Sequence, residues 1–434
     1  MECFVIHGGK PLKGEIEVRG SKNAAMPILA ATLLAKEPSV VDNIPLIEDV
    51  KRFLEIIQSL GGKIDWLGER KVRINPKNLN LKNLDQSLVK KLRASVLLIP
   101  PLLHRFGKFK LAQPGGCLIG VRSIDSHLDA IFQLGVKVRK TPTYYYYNGS
   151  NISPQEVVLD EFSVTATENI LMLASLIPGK TILKIGALEP HVEDLVVFLR
   201  KMGAKIKIIS PHIYEIAGAR KLSGVNHKII PDPIEAGTFM ILATALRGKI
   251  LIKNVRTDHL DLVIKKLKGM GARMNIRQKI NFGSDILMLP SYNLKGIKLQ
   301  TQPYPGIPTD LQSPFGVLAT QANGTSLIFD TMFEGRLKYI DELIKMGANA
   351  IIADPHRALI TGPTPLSASQ NINSLDIRSG VSLLIAALLA KGKTIIKDAY
   401  QIDRGYEAID ERLKKLGADI KRVNPNNQET ITKQ

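Results

Sequence analysis

The sequence predicts an α/β protein of two domains, each made of three copies of one unit, with helices buried inside and sheets packed around them. Two observations carry this. A phrase made of an apolar helical stripe, a Leu or Met, a Gly and a short aliphatic strand recurs six times. A second phrase, an apolar helix followed by a Gly-containing turn and a β-rich run, precedes several copies. Self-similarity of this kind decides a fold before any single element does. Two helices and several strands at about 70-residue spacing exceed the usual solenoid repeats, and a propeller blade carries no helix.

In chain order the copies are FLEIIQSLGGKIDW with Gly61, LDAIFQLGVKV with Gly135, LVVFLRKMGAKIKII with Gly203, LDLVIKKLKGMGARMNI with Gly271, IDELIKMGANAII with Gly347 and IDERLKKLGADIKRV with Gly417. Upstream of each glycine, apolar residues recur at helical spacing, as Leu260, Val263, Ile264 and Leu267 do. Glycine then stops the helix, because it takes the left-handed conformation without steric penalty. Downstream, Lys205-Ile206-Lys207-Ile208 alternates with period two, the mark of a half-buried strand. The second phrase is clear in SLIPGKTILKIGALE (175–189), ALRGKILIKNV (245–255) and LLAKGKTIIKDAY (388–400), and looser in QANGTSLIFDTM (321–332). A near-continuous apolar helix such as 381–390 belongs inside. Pro231-Asp232-Pro233 punctuates the midpoint, and a groove between two such lobes is the expected ligand site.

Composition bounds the function. The 434 residues are 44% hydrophobic and 23% charged, which excludes disorder over most of the chain. Two cysteines, Cys3 and Cys117, exclude a disulfide scaffold. No apolar run reaches a membrane span. The opening MECFVIHGGKPLKGEIEVRG lacks the apolar core of a signal peptide, and a cytoplasmic location is expected. Lys+Arg 59 against Asp+Glu 40 gives +19, and the cations are scattered rather than clustered. They read as a solvated basic surface, so no specific nucleic acid is expected as a partner. Nucleic-acid binding stays open as the alternative.

The repeats locate the exceptional charges. A cation beside small residues opens several inner helices: Ser21-Lys22-Asn23-Ala24, Lys91-Leu92-Arg93-Ala94-Ser95 and Asp376-Ile377-Arg378-Ser379-Gly380. Two more stand in turns after β-rich runs, Phe333-Glu334-Gly335-Arg336 and Asp403-Arg404-Gly405-Tyr406. Cations are intrinsically disfavoured at a helix N-terminus, so such a set points to binding of phosphate and carboxylate groups. Gln113 to Arg122, with three glycines and a proline around Cys117, reads as a mobile loop whose thiol lies near cations and forms thiolate readily. Cys3 opens the strand-like run Cys3-Phe4-Val5-Ile6 and reads as an inert buried thiol. Asp310 ends a proline-rich turn ahead of an inner helix; it reads either as an N-cap or as a base held among cations. The sequence shows no Walker A motif, strand-linked GxGxxG, HExxH or zinc spacing. With aromatics at 5%, no aromatic-rich basic stretch for base stacking is expected.

At these residues the chain resembles the UDP-N-acetylglucosamine 1-carboxyvinyltransferases, a branch of the enolpyruvyl transferase family. The carrying motifs are Gly20-Ser21-Lys22-Asn23-Ala24-Ala25, Leu92-Arg93-Ala94-Ser95 and Pro114-Gly115-Gly116-Cys117. With them go Arg122-Ser123-Ile124-Asp125-Ser126-His127, Pro308-Thr309-Asp310, Phe333-Glu334-Gly335-Arg336 and Ile402-Asp403-Arg404-Gly405-Tyr406. The resemblance implies a two-domain inside-out α/β barrel of the enolpyruvyl transferase type. Its domains would be 22–230, carrying the Cys117 loop, and 1–21 with 231–423, ahead of a polar tail at 424–434.

It also implies a reaction: transfer of the enolpyruvyl group of phosphoenolpyruvate to the 3′-hydroxyl of UDP-N-acetylglucosamine, with release of phosphate and no cofactor. Lys22, Arg122 and Arg404 would hold the phosphate, and Arg336, Arg378 and Arg404 the carboxylate, of phosphoenolpyruvate. Asn23, Arg93, Arg122, Ser123, Ile124, Asp125, Ser126, Ser163, Val164 and Met332 would line the nucleotide-sugar site. Asp310 would take the hydroxyl proton and Cys117 would supply one. Departures from the family pattern are Thr165 for a usual glycine and Pro233 for a frequent arginine. Glu161 stands where some members carry lysine, and Gly335 where some carry asparagine. The alternative readings are a non-catalytic paralogue and a basic nucleic-acid-binding protein.

Overall fold

The computed structural model describes residues 2–115, 123–279 and 283–424. These form two compact units, one of 2–19 with 231–424, the other of 20–115 with 123–230.

In the first unit three helices lie inside: Pro233–Ala245, Gln312–Ala319 and Ile377–Leu389. Every residue of Gln312–Ala319 is buried, as befits a helix apolar on all sides. Three amphipathic helices, Asp261–Met270, Tyr339–Lys345 and Ile409–Lys414, follow in alternation with them. Each sheet repeats one plan. A short strand pairs parallel with the strand after the inner helix, and an antiparallel hairpin completes the layer. Lys13–Glu17 is that parallel strand beside Lys249–Val255, and Lys298–Gln300 beside Gly324–Phe329. Ile372–Asn373 is the third, beside Gly392–Lys397, where Cys3–Gly8 serves as the next strand of the layer. Cys3 is buried there, and burial pushes its thiol up, so the inert reading stands.

The second unit has the same plan around Lys22–Ala31, Ile99–Phe106 and Val164–Ala174. Its outer helices are Glu48–Ser59, Asp125–Gln133 and Pro190–Met202. Two of its sheets carry the parallel strand, Asn226–Lys228 and Glu156–Val158. The third, of Lys108–Ala112, Tyr144–Asn148 and Lys137–Lys140, has three strands among the described residues.

All six repeat glycines have positive φ, between 89° and 110°. At Gly203 the turn closes with Gly203 N donating to Arg200 O and Ala204 N to Leu199 O, which ties off the last carbonyls of the helix. Helices inside and sheets outside are as expected; among the described residues the sheets stay open and none closes into a barrel. Two expectations need correction. Ile206 is buried but Ile208 is 48% exposed, because it lies at the sheet's edge beside a bulge, so the predicted alternation lasts one residue only. An aromatic-rich basic stretch does exist: four consecutive tyrosines, 144–147, pair with two lysine- and arginine-bearing strands. A low overall aromatic content says nothing about local clustering.

Candidate active site

In the first unit Asp310 lies in a 3-10 turn, Thr309–Leu311, that runs into Gln312–Ala319. It does not cap that helix; neither segment has a side-chain cap. Both carboxylate oxygens go to arginines instead. Arg336 Nη2 donates to Oδ1 at 2.8 Å, and Arg378 Nη2 donates to Oδ2 at 3.0 Å. The reason is energetic: Arg378 is almost wholly buried, and a buried charge without its partner costs about 3–5 kcal/mol, more than a cap contributes.

Arg378 stands in the first turn of Ile377–Leu389, where the helix dipole opposes a cation. Asp376 answers it with a capping box, accepting from Arg378 N at 2.8 Å and Ser379 N at 3.3 Å. Arg336 Nη1 is 3.9 Å from the same carboxylate. Arg378 Nη1 donates to Tyr406 Oη at 3.3 Å, which is 2.9 Å from Thr238 Oγ1. Burial alone would lower the Arg378 guanidinium. Asp310, then Tyr406 and Asp232, more than offset that and hold it above its ordinary range. Arg404 closes the helix Tyr400–Asp403 and donates to Gln401 at 3.1 Å. The next residue must be glycine: a Cβ on Gly405 would lie 2.3 Å from Ile377 Cγ2, so the turn could not rest on the start of the Arg378 helix.

Sequence reasoning missed the carboxylate that positions this cluster. Asp330 is fully buried at the end of the strand Gly324–Phe329. It accepts from Thr309 Oγ1 at 2.6 Å and from the backbone N–H groups of Met332 and Phe333, and so anchors both the Asp310 turn and Met332. A lone Asp just past a β-rich run was the available signal.

In the second unit Lys22 begins the inner helix Lys22–Ala31 beside Asn23, with Ser21 as N-cap. Its ammonium is 2.9 Å from Asp49 at the first turn of Glu48–Ser59. Arg93 opens a 3-10 segment rather than an inner α-helix, and its Nη2 donates to Ser123 O at 2.5 Å. Ser123 Oγ accepts from Asp125 N, the first residue of Asp125–Gln133, and Ile124 is buried beside it. Ser126 Oγ donates to Glu161 at 2.9 Å, and His127 Nε2 is 2.6 Å from Thr165 Oγ1. Ser163 caps Val164–Ala174 by accepting from Ala166 N. Two of the four departures from the pattern take part in this group, Glu161 by accepting from Ser126 and Thr165 by meeting His127. The third, Pro233, occupies the first helical position after the cap Asp232, where proline is favoured. Cys117 and Arg122 lie outside the described residues.

One turn beyond Thr165, Glu168 is buried, and its Oε1 has no hydrogen-bond partner among the described residues. Burial, then the neighbouring Glu189 charge, pushes its carboxyl well above the usual glutamate range. The folded protein therefore holds this proton where the unfolded chain, with a pKa of about 4.3, has released it. Stability from this group is full below that pH and is lost as pH rises toward the folded value. Glu168→Gln keeps the neutral form throughout. Its melting temperature relative to the parent should climb steadily from pH 5 to pH 8; a pH-independent offset would contradict the assignment.

The first cluster sets two arginines, Arg336 and Arg378, against Asp310 and Asp376, a site able to grip an anion and to take up a proton. Among the described residues no group of three or more His, Cys, Asp or Glu side chains could hold a metal, and no helix is long and apolar enough to cross a membrane.

Residues 6–430 match the EPSP synthase (3-phosphoshikimate 1-carboxyvinyltransferase) family. The chain is 42% identical to UDP-N-acetylglucosamine 1-carboxyvinyltransferase 2 of Clostridium acetobutylicum, over 97% of this chain and 99% of that protein. It is 41% identical to the UDP-N-acetylglucosamine 1-carboxyvinyltransferase of Halothermothrix orenii, over 98% and 100%. Among solved structures, the enolpyruvyl transferase NikO from Streptomyces tendae superposes with a TM-score of 0.87 at 24% identity, covering 97% of this chain and 99% of that one. EPSP synthase from Acinetobacter baumannii gives 0.71 at 18% identity, over 98% and 100%. Those two likenesses concern the fold, while the near-full-length identities concern descent, and together they place the chain in the EPSP synthase family of enolpyruvyl transferases.

Proposed function

We propose that the chain transfers the enolpyruvyl group of phosphoenolpyruvate to the 3′-hydroxyl of UDP-N-acetylglucosamine and releases phosphate, the first committed step of peptidoglycan synthesis. The observation that carries this is the full-length identity of about 40% to relatives bearing that activity in their names. The Asp310–Arg336–Arg378 cluster supports it.

In this reading Arg336, Arg378 and Arg404 take the phosphoenolpyruvate carboxylate, and Lys22, Arg122 and Arg404 its phosphate. Asn23, Arg93, Arg122, Ser123 to Ser126, Ser163, Val164 and Met332 take the nucleotide sugar. The 3′-oxygen bonds to C2 while its proton passes to Asp310 and C3 gains a proton from Cys117. The tetrahedral adduct then loses a C3 proton and phosphate, leaving the enol ether. Fixed guanidinium groups stabilise the clustered negative charge of the adduct better than mobile water does. Both oxygens of Asp310 already accept from arginines. Two adjacent guanidiniums disfavour protonation of that carboxylate, and a substrate carboxylate that draws on Arg336 and Arg378 would relieve this. A cytoplasmic location suits these substrates.

Phosphate release in the presence of both substrates tests the reading. Release is expected with UDP-N-acetylglucosamine and not with shikimate 3-phosphate as acceptor; the reverse would assign the chain to the sister activity. Cys117→Ala should abolish covalent inactivation by epoxide analogues of phosphoenolpyruvate, and labelling that persists would point to Cys3.

A further inference from the structure

The three-stranded sheet of the second unit differs from its repeat-related sheets in two ways. Among the described residues it has no parallel edge strand, and its three strands carry no acid. On two of the other sheets some lysines meet carboxylates: Lys180 with Glu215 at 2.6 Å, Lys184 with Glu156 at 2.8 Å, Lys279 with Asp285 at 2.7 Å. Here Lys108, Lys110, Lys137 and Arg139 are all exposed, and among the described residues none has a carboxylate in ion-pair range. Tyrosines stand in the places of the acids. Cross-strand register sets Lys110, Tyr146 and Arg139 in one row, and Lys108, Asn148 and Lys137 in the next. Arg139 lies 4.3 Å over the Tyr146 ring and Lys110 4.7 Å over the Tyr144 ring. The two half-buried rings are 6.5 Å apart, while Tyr145 and Tyr147 face inward and are buried.

We infer that this face binds single-stranded nucleic acid, with bases stacked on Tyr144 and Tyr146 and phosphates on the four cations. Charge complementarity demands a polyanion, and the interleaved rings select one that carries π-faces at short intervals. A base stacked on a tyrosine ring is worth more than a surface cation over it, so bases displace Lys110 and Arg139 from the rings and free them for phosphates. An acidic peptide added as the missing strand is disfavoured, because the edge is taken: Gln86 donates to Lys110 O at 3.3 Å and accepts from Ala112 N at 2.7 Å. An anionic membrane is disfavoured too, because no aliphatic side chain projects from the three strands on this face. The inference is independent of the transferase reading and reverses the expectation that the basic surface has no nucleic-acid partner.

The test uses the full chain and a fluorescent 20-nucleotide oligothymidylate, with polyphosphate of equal charge and phosphatidylglycerol vesicles as the other arms. The oligonucleotide should bind more tightly than polyphosphate, with a log–log salt slope of about −3, from −0.7 per contact over four contacts. Tyr146→Ala should weaken oligonucleotide binding at least about fivefold and leave polyphosphate binding unchanged, while Tyr146→Phe retains it. Lys110→Gln with Arg139→Gln should flatten the slope by about 1.4. Far-UV circular dichroism and melting temperature should match the parent in all variants, which shows that they fold. Equal affinity for polyphosphate with indifference to Tyr146→Ala would overturn the inference in favour of a general polyanion site. Binding to vesicles alone, or to nothing at 50 mM salt, would also overturn it.

Discussion

Asp310→Asn should lose about 10²–10⁴-fold in kcat, the usual worth of a positioned base, and should at the same time bind simple anions more tightly than the parent. The second half of that result separates this site from an ordinary ion-pair cluster. In the parent the carboxylate neutralises Arg336 and Arg378 from 2.8 and 3.0 Å. An amide of the same shape keeps one acceptor and removes the charge, so Arg336 keeps Asp376 at 3.9 Å and Arg378 keeps only the buried Asp232 as a nearby carboxylate influence. Without added anion the variant should melt lower, because Arg378 is buried and has lost a counter-charge. Inorganic phosphate should then raise its melting temperature well beyond the effect on the parent, since any anion that binds the folded form stabilises it by mass action. Thermal melts across a phosphate series at constant ionic strength check this. Equal phosphate responses in the two proteins would mean that Asp310 does not occupy the anion position, and Arg336 and Arg378 would lose their assigned role.

The fold was legible because its devices are local. A helix–Gly–strand phrase needs only neighbours in sequence: the left-handed φ of 110° at Gly203 and 100° at Gly271 serves the turn in which each residue stands. Helices such as Ile377–Leu389 announce burial by being apolar all round. Arg378 stood out in the sequence for a similar reason, since a cation at a buried helix start violates a local rule. Their partners were not. Asp310 meets Arg378 across 68 residues and His127 meets Thr165 across 38, and no periodicity encodes such distances. Asp310 consequently read either as a cap or as a base among cations, and only the fold places it between Arg336 and Arg378. Likewise Tyr144–Asn148 and Lys137–Lys140 adjoin in sequence, but Lys108 and Lys110 join their face only through sheet register.

The largest stability effect should come from a pair outside the candidate site. Arg412, on the helix Ile409–Lys414, donates to both oxygens of Glu235, at 2.6 and 3.3 Å, and both side chains are buried. Its Nη2 also donates to Glu17 O at 2.7 Å, and its guanidinium lies 5.0 Å from the Phe239 ring. Glu235 accepts in turn from Arg19 N at 2.7 Å. One guanidinium thus joins the chain segment 17–19, the start of an inner helix and an outer helix of the same unit. Arg412→Met should destabilise that unit by about 3–5 kcal/mol, because Glu235 stays buried with its charge while Glu17 O loses its donor. For a unit of this size the loss corresponds to a drop in melting temperature of roughly 10 °C. Glu235→Leu alone should cost a similar amount by stranding Arg412. Added salt should rescue neither variant, since a buried charge is poorly screened. The double variant Arg412→Met, Glu235→Leu removes both charges and fills the space with apolar atoms, so it should be more stable than either single variant. Thermal melts of the four proteins measure the coupling; strictly additive losses would show that each side chain contributes by packing rather than through the pair.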